Sequence, residues 1–391
     1  MREAGLELVL LPYEAGDQSL YPLPQGVACN MTLNEHPESH IVFRALKGLV
    51  SKWTWKEFVA KDRFKALKTL NHLINRSSRV RHYVPILKRM LEKEVRENGQ
   101  VPVIYTDRFD ALTYAACYLK RFFPELRVVT RAIGYDIYRE RYQNCYPPLR
   151  LQFANMPDMI CPVTEVGTQY LIKEYGIPSC CVRTYFRGVA VSAQRSGPGR
   201  QGELRLVSCS FCTPIKRLPL LVRSVAAYAE ARPNLVVYWT HIGDGELYEE
   251  LLLLAHELLD GIPNVRWEMP GRFNLDEIKQ YYKTHAVDSH ILISELEGLP
   301  KSIMEAQALG VPSVATKVGG VADIVNENTG IMIPRDFSQH EFAAALDGIV
   351  SFRDDAVREK IQKYCEEYFS ENNSRKFIDE IFWRFCNHFP V

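Results

Sequence analysis

Glu297 and Glu305 stand eight residues apart around a Gly298-Leu299-Pro300 turn, in the run SELEGLPKSIMEAQALGVPSVATKVGGVADIV at 294–325. The apolar residues 290–293 before them read as a strand, and 301–309 after the turn read as a helix. A strand that ends in a glycine turn and opens a helix presents free backbone N–H groups and the positive end of the helix dipole, which attract phosphate. One carboxylate on the loop and another further into the helix then lie near the same ligand. Carboxylates accept hydrogen bonds from ribose and sugar hydroxyls, so the pattern suits a nucleotide diphosphate that carries a sugar. Parallel α/β proteins often place glycine turns before acidic helices, so the spacing alone does not decide the chemistry.

The elements that must hold these groups are strands and helices in alternation. Strands are expected at 101–105, 126–131 and 158–163, with helices at 111–121 and 165–175. A polar, glycine-rich stretch comes next at 192–202, and the alternation restarts with strands at 204–209, 236–242, 266–269, 290–293 and 313–316. Helices are expected between them at 218–231, 246–259, 275–284 and 301–309. This rhythm means βαβ units and parallel sheets, in which ligands bind beyond the carboxyl ends of the strands. The reading is therefore α/β: two Rossmann-like doubly wound domains, 1–190 and 204–372, joined by a linker at 191–203, with the site in the cleft between them. A last helix, 373–389, is expected to cross back onto the first domain.

Composition narrows the function classes. The 391 residues carry a net charge of +1, with 47% hydrophobic and 24% charged residues, as in an ordinary globular protein. No run approaches the roughly 20 apolar residues of a membrane span, and the first residues show no signal-peptide pattern, so a cytoplasmic location is expected. Ten scattered cysteines are expected as reduced thiols. Cys209 and Cys212 form a C-x-x-C that no second pair or histidine cluster supports as a metal site, and no Asp-x-Asp marks a metal elsewhere. Neither metal nor cofactor is therefore expected. The one uneven region is 44–97, where fifteen Lys or Arg face five Asp or Glu, a net of +10. It reads as two helices, with Trp53, Trp55, Phe58, Phe64, Leu67 and Leu70 among the apolar positions. Such a surface is either a solvated helix pair or one that meets anionic lipid headgroups; no recognition motif accompanies it, so nucleic acid is not the expected partner.

The segment EGLPKSIMEAQALGVPSVATKVGGVADIVNENTGIMIP at 297–334 resembles the donor-site segment of glycosyltransferase family 4, retaining enzymes of the two-domain GT-B fold, with Glu297 and Glu305 on that family's E-x7-E motif. The resemblance is strong over 204–335, moderate over 101–190 and poor before 100. It implies that Glu305 holds the ribose hydroxyls, that Glu297 with the backbone of Gly298, Leu299 and Pro300 holds the donor sugar, and that Lys216 neutralises the diphosphate. A second family cation falls on Phe211, which leaves Arg217 as the substitute. Gly243 and Gly245 in HIGDGELYEE, Arg272 in MPGRFNLDEI, and Gly319 with Gly320 in KVGGVADIV complete the implied donor side.

On the acceptor side, RAIGYDIY at 131–138 resembles a motif of a polysaccharide-building subgroup that has His where this chain has Ile133; Arg131, Tyr135 and Asp136 remain. Arg187 stands where the family more often has leucine. The opening MREAGLELVLLPYEAGD resembles that family's second strand, which comes after a first strand and a glycine-rich loop, so the first domain is expected to lack both. The resemblance implies a metal-independent hexosyltransferase that uses a UDP- or GDP-sugar and a saccharide or lipid-linked acceptor; the lipid reading of 44–97 would make it peripheral at the inner face of the membrane. Ile133, Phe211 and the missing loop leave open a catalytically impaired nucleotide-sugar-binding or scaffold homologue of the same fold.

Overall fold

The computed structural model describes residue 7 and residues 9–12, 28–35, 41–60 and 63–382. These divide into two compact units, Met1–Tyr185 with Arg375–Val391, and Phe186–Ser374.

In the first unit, β1 (Val9–Leu10) and β2 (Ala28–Cys29) pair in parallel. A separate parallel sheet runs β3 (Ile104–Thr106), β4 (Val128–Ala132), β5 (Met159–Pro162). Both β4 and β5 are wholly buried, as expected of strands covered on two faces. The Asp110 carboxylate caps the helix Ala111–Leu119 by accepting from Leu112 N, and Thr164 caps Glu165–Tyr175, which Gly176 closes in the left-handed region. The expected lack of a first strand falls on N-terminal residues that mostly lie outside the described ones.

The basic segment forms three helices rather than the expected two: Ile41–Leu49, Lys52–Ala60 and the 36-residue Arg63–Asn98. The additional break has a packing cause. A Cβ on Gly48 would meet Ile74 O at 2.1 Å, so the first helix crosses the long one backbone to backbone. The chain then turns at Ser51, whose N–H donates to Gly48 O at 3.1 Å. At the other end of the sequence the helix Asn372–Phe377 runs into a wider turn, Ile378–Phe382. Phe377 and Ile381 are buried against Val129, Met159 and Tyr185 of the first unit. The rest of the expected 373–389 helix lies outside the described residues.

The second unit is a single parallel sheet of β6 (Glu203–Cys209), β7 (Val236–Ile242), β8 (Val265–Gly271), β9 (Ser289–Leu292), β10 (Ser313–Thr316) and β11 (Gly330–Ile333). Its spatial order is β11-β10-β9-β6-β7-β8. Counted from β6, this is the doubly wound order 3-2-1-4-5-6, which reverses direction between β6 and β9. Trp239, Leu221, Val225, Leu251, Phe342 and Leu346 fill the layer between strands and helices.

The stretch 192–202 is bound along the second unit instead of running free. Arg358, itself buried, donates to Ser196 O at 3.0 Å, Ser196 N donates to Leu309 O at 2.9 Å, and Gly199 N donates to Asp288 Oδ1 at 3.0 Å. Gly and Ser suit such a strip because small side chains let the chain lie flat against a packed surface.

Candidate active site

The sheet order fixes where chemistry can sit. Loops after β6 and β9 diverge to opposite faces at the reversal point, and the crevice between them is the ligand position of doubly wound sheets. The two loops are laced together: Glu295 N donates to Ile215 O at 2.8 Å. Lys216 on one and Glu297 on the other form an ion pair, Nζ to Oε1 2.6 Å, with Glu297 only 8% exposed. Charges this sheltered are held by their pairing, because either alone would lose its hydration.

Beyond Glu297, Leu299 and Pro300 are buried and Pro300 begins the helix Lys301–Gln307 without a side-chain cap. The helix is shorter than the expected 301–309, because the chain reverses at Gly310 in the left-handed region (φ 73°). Glu305 lies on this helix, half-buried, and burial raises its pKa above the usual carboxylate value, with Lys301 and Lys279 opposing. Among the described residues no group donates a hydrogen bond to it.

Glycines set how closely the loops approach. Gly319 (φ 52°) lies against the Glu297 backbone, where a Cβ would meet Glu297 O at 2.0 Å; Gly320 N donates to Gly298 O at 2.9 Å. Gly243 does the same for the β6 loop, where a Cβ would meet Ser210 O at 1.9 Å, and Gly245 lies against Cys212. These four glycines therefore place neighbouring loops.

Arg217 turns away from the Lys216–Glu297 pair. Its backbone is left-handed (φ 52°), its Nε donates to Ile293 O at 2.7 Å and its Nη1 to Arg335 O at 2.8 Å. A guanidinium engaged by two carbonyls is a brace between loops, which differs from the expected diphosphate cation. Phe211 is 56% exposed, and the guanidinium of the exposed Arg272 lies 5.8 Å from its ring centre.

Two histidines beneath these loops were not among the sequence candidates. His241 on β7 bonds Ser208 Oγ at 2.9 Å and Cys212 Sγ at 3.3 Å; His290 on β9 bonds the Tyr282 hydroxyl through Nδ1 at 3.1 Å. Burial depresses their pKa values to about 4 and about 3, so both stay neutral at pH 7. A polar residue inside an apolar strand run was the available signal. Cys209 and Cys212 are free thiols, pushed by burial up to about 12 and about 11. Among the described residues no group of three or more His, Cys, Asp or Glu is placed to hold a metal ion.

In the first unit, β4 and the loop after it hold the other candidates. Asp136 is buried and accepts from Phe109 N at 2.7 Å, Ile133 N at 2.8 Å and Gly134 N at 3.0 Å. Arg150 complements it by donating to Phe109 O at 2.9 Å and Asp136 O at 2.6 Å. Arg131 is buried too, with Nη1 on Tyr185 O at 3.2 Å and its guanidinium 4.5 Å from the Phe377 ring centre. Tyr135, by contrast, is exposed and leans on Tyr142. Of the expected acceptor-side residues, Tyr135 faces solvent, while Arg131 braces β4 against Tyr185 and Phe377 and Asp136 holds its own loop. Arg187 belongs to the second unit and is half-buried.

The chain is similar to known proteins in sequence and in fold. Residues 204–351 match the family Glycosyl transferases group 1. That span is nearly the whole six-stranded sheet with its helices. Among curated proteins, a D-inositol 3-phosphate glycosyltransferase of Saccharomonospora viridis is 26% identical over 305 residues, 73% of this chain and 64% of that protein. A putative colanic acid biosynthesis glycosyltransferase, WcaL of Escherichia coli, is 24% identical over 219 residues, 54% of this chain and 52% of that protein. The matches thus span less than two thirds of either relative's length.

Among solved structures, the apo form of the lipopolysaccharide outer core galactosyltransferase WaaB superposes with a TM-score of 0.60 at 16% identity, covering 80% of this chain and 81% of that one. Anabaena Alr3699/HepE in complex with UDP gives 0.61 at 18% identity, covering 76% and 82%. The fold is that of the GT-B glycosyltransferases, and 204–351 is similar to the group 1 glycosyl transferase family.

Proposed function

We propose that this chain is a retaining hexosyltransferase that moves a sugar from a nucleotide diphosphate to a saccharide or lipid-linked saccharide acceptor in cell-surface polysaccharide biosynthesis. One observation carries the reading: the sheltered Lys216–Glu297 pair at the reversal point of the sheet, with the half-buried Glu305 on the next helix. A diphosphate arriving there draws the Lys216 ammonium to itself. Glu297 is then free to accept from sugar hydroxyls, while Glu305 accepts from the ribose. As the bond to the sugar breaks, Lys216 and the N–H groups at the start of the helix Lys301–Gln307 hold the charge that grows on the leaving phosphate. The acceptor's proton goes to that leaving phosphate. This route needs no carboxylate nucleophile on the donor face and delivers the acceptor to the side the phosphate leaves, which retains the anomeric configuration. Lys216 takes the part that a divalent cation plays in other transferases, so turnover in excess chelator is expected to persist.

UDP is the first nucleotide to try, because it is named in the Anabaena complex. The deciding experiment is thermal-shift binding across UDP, GDP, ADP, TDP and their sugars, with Glu305→Ala alongside. Stabilisation by one nucleotide family that disappears in the variant supports the reading; no shift with any of them removes it. The anomeric configuration of a product, read by NMR, tests retention.

Ile133 and the exposed Phe211 favour a second reading, a nucleotide-sugar-binding homologue without turnover. Ile133→His with Phe211→Arg separates the two, since activity that appears only in the doubly substituted protein selects the second. A membrane-peripheral placement at the cytoplasmic face suits a lipid-linked acceptor, and the basic segment 44–97 supports it. Among the described residues no helix is long and apolar enough to cross a membrane.

A further inference from the structure

The helices Ile41–Leu49 and Lys52–Ala60 are oriented the opposite way to an ordinary surface pair. The second buries its only carboxylate: Glu57 is 1% exposed and accepts from the Tyr146 hydroxyl, from Leu149 N at 2.7 Å and from Gln152 Nε2 at 2.7 Å. Thr54 is buried beside it, with Oγ1 on Gly48 O at 2.8 Å. What this helix leaves outside is Trp55, 47% exposed, and Val59, 79% exposed, with Lys52 and Lys56. Positions 52, 55, 56 and 59 fall on one helix face, since residues three and four apart are neighbours. The first helix repeats the pattern with Phe43 at 62%, Leu46 at 55% and Leu49 at 37%, followed just past its end by Val50 at 70%, and with Lys47 exposed among them.

The two faces meet. Trp55 Nε1 donates to Leu49 O at 2.6 Å, which joins the outer side of the second helix to the end of the first. Gly48 against Ile74, and Arg81 Nη1 on Lys47 O at 3.2 Å, fasten the first helix to the long one beneath. The result is a surface that exposes six large apolar side chains together with lysines, and turns its one acid inward. A solvated face has no reason for this exposure, and contiguous apolar patches on a soluble surface mark interaction sites. A protein partner that buried the patch would need to pair several lysines at once. Anionic headgroups over an acyl boundary match both features: apolar side chains reach past the headgroups while lysines stay at their level.

We propose that the faces of these two helices form a docking surface for an anionic phospholipid bilayer, with Phe43, Leu46, Val50, Trp55 and Val59 inserting at the interface and Lys47, Lys52 and Lys56 meeting the headgroups. This narrows the broad basic segment to its first two helices. It deepens the membrane-peripheral part of the proposed function and is independent of the donor site, so its test uses no nucleotide or turnover.

The test is vesicle co-sedimentation of the full chain with phosphatidylcholine alone and with phosphatidylcholine containing phosphatidylglycerol. Binding is expected only to the anionic vesicles, and to weaken by tenfold or more as the Debye length shrinks from about 10 Å at 0.1 M salt to about 3 Å at 1 M. Two sets of exposed substitutions complete it, Phe43→Ser with Val59→Ser, and Lys47→Gln with Lys52→Gln and Lys56→Gln. Each set is expected to cut binding at least tenfold with an unchanged circular dichroism melt. Trp55→Phe is expected to keep binding and to remove most of the blue shift of tryptophan fluorescence on vesicle addition. Equal binding to neutral vesicles, no vesicle binding, or binding that survives both sets overturns the proposal. A dimer in solution that the Phe43→Ser, Val59→Ser protein loses, without vesicle binding by the parent, assigns the patch to a second copy instead.

Discussion

The Lys216 ammonium lies 2.6 Å from the Glu297 carboxylate across the reversal point of the six-stranded sheet, joining two residues 81 positions apart in sequence. Each balances the other's charge, and under the proposed function each contacts the nucleotide-sugar. Lys216→Ala leaves Glu297 buried without its counter-charge. It is expected to lower kcat by roughly 10²–10³-fold, the usual cost of removing one preorganised charge-stabilising donor. Steady-state kinetics on the variant, with Glu297→Gln for comparison, checks this; an unchanged kcat would remove Lys216 from the mechanism.

Glu305 yields a binding prediction and a pH prediction. At a nucleotide concentration 100 times its Kd, the parent protein should gain about 2.7 kcal/mol of stability, and Glu305→Ala little or none. Burial raises the Glu305 pKa, so the folded state disfavours its ionised form. The group therefore penalises folding increasingly as pH rises from its unfolded value of 4.5 through the raised folded value. Glu305→Gln is expected to flatten that part of the stability profile in urea titrations without ligand.

The buried histidines act with the opposite sign. Both are depressed from 6.5, His241 to about 4 and His290 to about 3, so the unfolded chain binds protons first. Their contribution is complete above pH 6.5 and is lost as pH falls toward 3 to 4, by a few kcal/mol in order of magnitude. Melting temperatures from pH 7 to pH 4 should fall less steeply in His290→Gln than in the parent.

Gly319→Ala adds a single methyl group where a Cβ would stand 2.0 Å from Glu297 O, in a left-handed backbone. The Glu297 loop must move, and a displacement of this kind costs about 10²-fold when it misplaces a reacting group. Activity should fall by that order, and the nucleotide-induced thermal shift should shrink with it. Full activity in this variant would show that the loop has slack.

Asp136 and Tyr135 are neighbours with separable roles. Asp136→Ala strands three backbone N–H groups, two of them on Ile133 and Gly134 beside it, and is expected to destabilise by about 3 kcal/mol or more. Tyr135→Ala removes an exposed side chain and should stay within about 0.5 kcal/mol, while raising the KM for the acceptor if that substrate lies along this loop. Urea denaturation and acceptor-dependent kinetics distinguish the two.

Much of this was legible in the chain. Strand and helix periods placed 236–242, 275–284 and 313–316 at their observed bounds, because buried parallel strands are largely apolar runs without helical periodicity and capped helices announce their starts, as Asn274 does. The turn at Gly298 and the pair Glu297 and Glu305 were visible for the same local reason. Pairing was not local. Nothing at 216–217 says that Lys216 reaches Glu297 while Arg217 braces the carbonyls of Ile293 and Arg335; strand order decides which loops become neighbours. Asp136 reads like a ligand in RAIGYDIY, and only the fold of its own loop turns the carboxylate onto three N–H groups. The basic excess of 44–97 was a matter of composition. Which side of those helices faces out, with Glu57 inside and Trp55 outside, was decided by what Tyr146, Leu149 and Gln152 offer to a carboxylate that needs partners once buried.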